Sequence, residues 1–550
     1  MDWHFATAFE IIADEIGDSP ALICDGVTRT WTQYDDRAAK IAAVLVEHGL
    51  GPDSKVGIYL HNSNEYLEAH HGVMKLRGCP INVNYRYREE ELVYLLNNAD
   101  AQALIFQSDY ADRIDAIRSK LTGVRCFIQV GANGSQRHID GGVNYEDSIG
   151  TADPMPRIER SADDLYMLYT GGTTGMPKGV MYSNGGHCSG LSAYTALIGA
   201  PAVGEAVTDL AEQVKQLKAA DALGVGLICC PLMHGTGMWV GAMITQLAGG
   251  AALTVNHLGL DADLIWSQAQ EHQASLLTIV GDAFARPLLG ALDNAVEKGS
   301  PYDISSVKTM ISSGVMWSQE IKQGLLKHAD MTLIDAMGST EGGMGTSVST
   351  RESAASTAKF EINEDVKVFN EEDKEVRPGS GEMGMIATES AMMGYYKDPE
   401  KTAKTVKLID GVRYIFPGDF ATVESDGSLT LLGRGSMCIN TAGEKVFPEE
   451  VEEIAKGHDA VEDCLVVGVA DEKFGERVVA LVSRRTPATV THSEAESRFE
   501  TDVQNHCRSH LAGYKIPKNV LLVDTVQRAP NGKADYKWAK ATALDRLGLS

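Results

Sequence analysis

Positions 222 to 255 contain no Asp, Glu, Lys or Arg, and a charge-free run of that length either crosses a bilayer or lies deep inside a fold. Seven glycines, Pro231 and His234 interrupt it, which argues for the buried alternative. It parses as a strand (VGLICCP), a loop (LMHGTG), a helix (MWVGAMITQLAG) and a second strand (AALTV), the pattern of a βαβ unit whose strands are covered on both faces. The alternation recurs upstream. AAKIAAVLVEHGLG reads as a helix stopped by Gly49 and Gly51, and KVGIYL follows as a strand. Repeated helix-strand alternation predicts a mainly parallel α/β architecture. There is no strong short repeat and no low-complexity tract.

At 550 residues with 44% hydrophobic and 23% charged, the chain has material for two or more packed domains and is not of the disordered class. Its formal charge of −26 provides no general field for phosphate backbones or anionic membranes, so nucleic acid is not an expected partner. An anionic small substrate must therefore be held locally, by loop amides, a few lysines or a metal ion. Nine cysteines without a CxxC pair fit neither a disulfide framework nor a zinc ribbon and predict a cytoplasmic protein. Cys229 and Cys230 read as small apolar residues. The opening MDWHFATAFEIIADE lacks a signal peptide's basic start and apolar run.

Near position 360 long helix-strand units give way to short runs between turns, EDVKVFN, EMGMIATE, FATVES and SLTLLG, which predict a small β subdomain. After Arg434, KVFPEEVEEIAKG places Pro448 in a first helical turn with acids at the helix N-terminus. CLVVGVA, a helix and VVALVSRR then read as a compact α+β unit. The expected division is an N-terminal domain over 1–433, a hinge over 434–437 and a smaller mobile domain over 438–550.

The most informative string is Tyr169 to Val180, YTGGTTGMPKGV. Its glycines and threonines supply backbone amides and hydroxyls, and Lys178 an ammonium, around a concavity suited to a polyphosphate. It is not a Walker A loop, because Pro177 precedes the lysine and Gly179 follows it. Alone, such a loop is a flexible turn more often than a nucleotide cradle.

The string resembles the phosphate loop of the adenylate-forming superfamily, which groups acyl-CoA synthetases, peptide-synthetase adenylation domains and firefly-type luciferases. Further motifs follow in family order: PLMHGTG (231–237), ISSGV (311–315), DAMGSTE (335–341), GYYKDPE (394–400), FPGDF (416–420), GRGSMCINTAGEKVFPEEVE (433–452) and PNGK (530–533). The resemblance implies ATP, Mg²⁺ and coenzyme A as reaction partners of a carboxylic acid, with no transmembrane segment and with a homodimer as a compatible assembly. Carried over residue by residue, it implies that Thr170, Gly171, Gly172, Thr173, Thr174 and Lys178 cradle phosphates. Gly314, Val315, Asp335, Ala336, Met337, Gly338 and Ser339 would line the adenosine side, with Asp335 accepting from the exocyclic amine. Thr340 would bind phosphate, and Glu341 would hold the metal, since hard cations prefer carboxylate and phosphate oxygens. Asp419 and Arg434 would meet the ribose. His234, Trp239, Gly281 and Phe284 would border the acyl tunnel, with Val315 and Met337 beside them. Gly443, Glu444 and Lys445 would approach coenzyme A. Lys533 would stabilise the charge of the adenylation step.

Several positions depart from the family pattern. Gly171 stands where serine is common, Met337 where an aromatic ring usually stacks on adenine, Pro417 for a frequent threonine and Met437 at the usually acidic hinge position. CINTAGEKVFPEEVE and TIVGDAFARPLL resemble actinobacterial synthetases for steroid side-chain and medium- or long-chain fatty acids, which implies a hydrophobic acid. A ligase for an aryl or other acid, a luciferase-type oxidation and a nucleotide-binding inactive homologue share the adenylation motifs.

Overall fold

The structure is a computed structural model that describes residues 2–131, 137–170, 176–201, 203–204, 206–315, 317–353, 357–441, 444–471, 475–485, 493–529 and 532–549. By compactness the chain divides into two units: Met1–Gly342 with Val348–Ala354 and Ser390–Val406, and Gly343–Ser347 with Ala355–Glu389 and Lys407–Ser550. The expected hinge at 434–437 lies inside the second unit. There Arg434 ends a strand and Gly435–Met437 form a 3-10 turn.

The first unit is built on a parallel sheet in the order Pro20–Cys24, Ala251–Thr254, Val225–Ile228, Leu276–Ile279, Thr309–Ser313 and Thr332–Ser339. The charge-free stretch supplies two adjacent strands of it, as its composition predicts, and Leu227, Ile228, Ala252 and Leu253 are buried. Two details differ. The strand stops at Ile228 instead of running to Pro231, and the helix starts at Thr236 with a π-helical stretch, Thr236–Met243, a form that often marks functional segments. A second parallel sheet runs Cys79–Asn82, Lys55–Tyr59, Ala101–Gln107, Cys126–Val130 and Val143–Asn144. A small antiparallel sheet joins Leu165–Thr170, Lys178–Ser183 and Met392–Tyr395.

Local sequence explains the helices that cover these sheets. Trp31–Glu47 begins with a capping box in which Thr30 and Gln33 bond reciprocally, and it ends before Gly49, whose φ of +77° suits glycine. Its buried Trp31, Tyr34, Ile41 and Leu45 share one face and contribute about 1.5–3 kcal/mol each on burial. That face meets Asn64–Lys75, where a Cβ at Gly72 would lie 2.0 Å from Ile41 Cγ2, so a larger residue there would force the helices apart. Beneath them Lys75 bonds Glu10 at 2.5 Å and Asp35 at 2.6 Å, and Arg160 bonds both oxygens of Glu10.

In the second unit the short runs form the expected β subdomain, and they pair antiparallel: Lys359–Ile362, Leu429–Arg434, Asp419–Val423 and Met383–Thr388, with Val366–Phe369 and Val412–Ile415 on the last. A further sheet holds Glu444–Val446, Ile439–Thr441, Gly475–Arg484 and Val461–Asp471, with Asn519–Leu522 parallel to Gly475–Arg484. The strand Val461–Asp471 alternates between two cores: Cys464 and Val466 face one, Leu465, Val467 and Val469 the other. The helix expected between CLVVGVA and VVALVSRR is not there. Asp471 and Gly475 pair as the ends of one hairpin, and the described residues there, Asp471 and 475–477, are strand. Pro448 does open a helix, Pro448–Lys456. Among the described residues no helix is long and apolar enough to cross a membrane.

Candidate functional site

Register brings the expected residues of the first unit to the carboxyl ends of its central strands. Ser312 lies opposite Asp335 and Ser313 opposite Ala336, while Thr278 pairs Ile311 one strand over. Ligands of open parallel sheets collect at such ends. Gly281 (φ +50°) and Gly314 (φ +95°) turn the chain out of two of these strands, and the Gly281 amide donates to Ser312 Oγ at 2.8 Å. Asp335 is 5% exposed, and Lys322 donates to its Oδ2 at 3.3 Å. The Lys322 ammonium also lies 5.4 Å from the centre of the Trp317 ring. Lys322 was not singled out in the sequence; it sits on the helix Gln319–His328, outside every quoted motif. Met337 is buried.

Beyond Gly338 the backbone is pinned by hydroxyls. Ser339 Oγ accepts from the Glu341 amide at 3.2 Å, Tyr182 donates to the Thr340 carbonyl at 2.7 Å, and Ser390 donates to the Glu341 carbonyl at 2.6 Å. The Glu341 carboxylate accepts a bond from the Tyr395 phenol at 2.6 Å. Burial pushes the Tyr182 phenol up, so it stays a proton donor at neutral pH.

Thr170 and Lys178 pair across the strands that flank the phosphate-loop string. Gly171, Gly172, Thr173 and Thr174 lie outside the described residues. Lys178 bonds Asp398 at 2.5 Å. Val315 follows Gly314 and is half-buried.

Among the acyl candidates, His234 is half-buried in the turn that precedes the π-helix, its amide donating to the Pro231 carbonyl at 3.2 Å. Trp239 is 8% exposed. Its indole donates to the Tyr166 hydroxyl at 3.0 Å and meets His187 edge-on with centroids 4.4 Å apart. Burial pushes the His187 imidazole down to about 3, so it is neutral there. Phe284 is buried on Gly281–Glu297. Tyr166 and His187 are neighbours that the sequence did not single out.

The remaining candidates belong to the second unit. Asp419 and Arg434 face each other across an antiparallel pair, Arg434 Nε donating to Asp419 Oδ1 at 3.2 Å. Glu444 and Lys445 lie on a strand paired with Ile439–Thr441, and Gly443 lies outside the described residues. Lys533 is exposed, on a turn closed by its own carbonyl, which accepts from the Ala529 amide at 2.7 Å.

The first unit thus brings glycine exits, a buried acid and a hydroxyl-pinned, acid-bearing turn to the carboxyl ends of its parallel strands, where ligands of such sheets collect. The chain belongs to the AMP-binding enzyme family: that family's pattern matches residues 9–396, and the AMP-binding enzyme C-terminal domain matches 450–533. It is 38% identical over 99% of its length to a medium/long-chain-fatty-acid–CoA/3-oxocholest-4-en-26-oate–CoA ligase of Mycolicibacterium smegmatis, covering 97% of that protein. It is 39% identical over its whole length to a 3-oxocholest-4-en-26-oate–CoA ligase of Rhodococcus rhodochrous, again covering 97%. The fold matches the crystal structure of the anthranilate CoA ligase AuaEII in complex with anthranoyl-AMP with a TM-score of 0.82, at 20% identity over 99% of this chain and 98% of that one.

Proposed function

We propose that this chain is an ATP-dependent acyl-CoA synthetase for a hydrophobic carboxylic acid, a medium- or long-chain fatty acid or a steroid side-chain acid. The observation that carries the reading is the end-to-end similarity to a ligase whose name joins those two substrate classes. The reaction has two halves. A carboxylate oxygen attacks the α-phosphorus of ATP and pyrophosphate leaves; the thiol sulfur of coenzyme A then attacks the acyl carbon, AMP leaves and the thiol proton passes to solvent.

In this reading Asp335, held as an acceptor by Lys322, takes the adenine amine, and the backbone of Ala336, Met337, Gly338 and Ser339 runs along the ring. Thr340 and Lys178 bind phosphate oxygens, with the loop 170–174. Asp419 and Arg434 bind ribose, and Lys533 brings an ammonium to the charge that spreads over the phosphoryl oxygens in the transition state. Gly443, Glu444 and Lys445 meet the pantetheine arm once the domain 438–550 has turned about 434–437. His234, Trp239, Gly281 and Phe284 border the acyl chain.

The donor set suits magnesium. Glu341 offers hard oxygen, and among the described residues there is no cluster of three or more His, Cys, Asp or Glu that could cage a metal. A cation shared between one carboxylate and substrate phosphates is the usual magnesium arrangement. Magnesium would neutralise triphosphate charge and make pyrophosphate a better leaving group. None of the nine cysteines, all among the described residues, is in a disulfide, which supports a cytoplasmic home.

The test is AMP formation with coenzyme A and a panel of acids: octanoate to palmitate, a bile acid, a sterol side-chain acid and benzoate. Burial of each added methylene contributes about 0.8 kcal/mol, so kcat/KM rises along the fatty series and the sterol acid is turned over. Preference for benzoate overturns the hydrophobic assignment.

A further inference from the structure

We infer that Tyr395 is a positioning residue for the metal-nucleotide complex: its phenol fixes one oxygen of Glu341 and leaves the other to face the cation. The inference rests on the reading of Glu341 as the metal-holding carboxylate.

The strand Met392–Tyr395 lies antiparallel to Lys178–Ser183, with Tyr395 opposite Val180. From there the side chains divide between two directions. Tyr395 bonds Glu341 at 2.6 Å and Asp398 bonds Lys178 at 2.5 Å. Between them, Tyr396 and Lys397 both bond Asp100 at 2.7 Å, and the Tyr396 amide donates to the Gly179 carbonyl at 2.8 Å. The segment is thus anchored by its outer side chains while its inner ones hold a carboxylate and an ammonium of the proposed nucleotide site.

Tyr395 itself has little freedom. It is 4% exposed, and its amide donates to Thr402 Oγ1 at 2.9 Å, a hydroxyl that donates in turn to the Asp398 carbonyl at 2.9 Å. The approach depends on Gly394, at φ +147°, where a Cβ would stand 2.7 Å from Thr402 Cγ2. The Lys401 ammonium lies 5.5 Å from the centre of the Tyr395 ring, drawing electron density toward the cation. Glu341 is constrained from its backbone as well, through Ser339 and Ser390. A carboxylate fixed at backbone and at one oxygen presents its second oxygen in one direction. Groups that orient a metal ligand in this way change metal affinity about 10–100-fold when removed.

The variant Tyr395→Phe keeps the ring and deletes the hydroxyl. Binding of Mn²⁺ in the presence of ATP, followed by electron paramagnetic resonance, reads the effect without turnover. The expected result is a Kd for Mn²⁺ raised roughly tenfold or more. The Mg²⁺ needed for half-maximal acid-dependent ATP–pyrophosphate exchange should rise in parallel, with KM for the acid and the thioesterification of supplied acyl-adenylate unchanged. Tyr396→Phe, which loses the bond to Asp100 instead, should leave Mn²⁺ affinity at the wild-type value. Unchanged Mn²⁺ affinity in Tyr395→Phe overturns the inference, as does equal weakening in Tyr396→Phe. If the wild type fails to bind Mn²⁺ with ATP, the reading of Glu341 falls, and the inference with it.

Discussion

The two units carry their chemistry-bearing charges differently. In the first, Asp335, Lys178 and Glu341 are each tied to a partner side chain, Lys322, Asp398 and Tyr395, at 3.3, 2.5 and 2.6 Å. In the second, Asp419 and Arg434 are likewise tied to each other at 3.2 Å, and the contrast lies in Lys533, which is exposed. Dipoles and charges that are set before the reaction need no reorganisation during it, and the first unit meets that description. A lysine required in one half-reaction and removed for the other suits an exposed turn on a separate unit. The buried acids differ too. Glu10 and Asp35 in the first unit share Lys75, whereas Glu452 in the second is 5% exposed and accepts from the Val466 amide at 2.8 Å.

The strongest way to break this contrast is Lys533→Ala. By comparison with the loss of an oxyanion donor, about 3–4 kcal/mol, adenylation should slow roughly a hundred- to a thousandfold, while thioesterification of supplied acyl-adenylate is spared. Equal loss in both half-reactions would remove the division of labour. Next is Lys75→Met, which removes the cation shared by Glu10 and Asp35 and leaves Glu10 to Arg160 and Asp35 to His71 and Arg157. Denaturant unfolding should show a loss of about 1.5–3 kcal/mol, the range for hydrogen bonds to charged groups; a loss below about 1 kcal/mol would mean the ionic layer is dispensable.

The third prediction concerns pH. Burial pushes the Glu452 carboxyl up to about 7, with the neighbouring Glu449 also raised. The folded state therefore holds a proton that the unfolded state releases near 4.5. That contribution is complete below about pH 4.5 and is lost as pH rises through about 7. Relative to wild type, Glu452→Gln should flatten the fall in melting temperature across this window, and an unchanged slope would refute it. The smallest effect is expected of Asp398→Asn. The pair with Lys178 is partly exposed, and Asn still caps the helix Pro399–Thr405, so stability should move by no more than about 0.5 kcal/mol. A larger drop in thermal melting would show that the pair is part of the core framework.

Legibility in the sequence followed physical range. The parallel sheet could be read because strands covered on both faces need apolar residues throughout, as in 222–255. The π-helical turn at Thr236 carries no distinct composition, since its apolar residues serve an α-helix equally well. The spurious helix near Asp471 arose because Glu476 and Arg477, at the polar start of the strand Gly475–Arg484, look like a helix surface. Motif residues at the strand ends were singled out through their local strings. Lys322 lies outside those strings, and Tyr395 and Asp398, though inside GYYKDPE, were given no role, because their partners lie 13, 54 and 220 positions away and only the folded chain brings them together.

The central claim is that an acyl-adenylate forms before the thiol acts. Isotope exchange between labelled pyrophosphate and ATP, run without coenzyme A, measures this directly. With palmitate or a sterol side-chain acid, label should enter ATP at a rate set by the acid concentration. Label that enters only when coenzyme A is added, or that no acid promotes, would contradict the account.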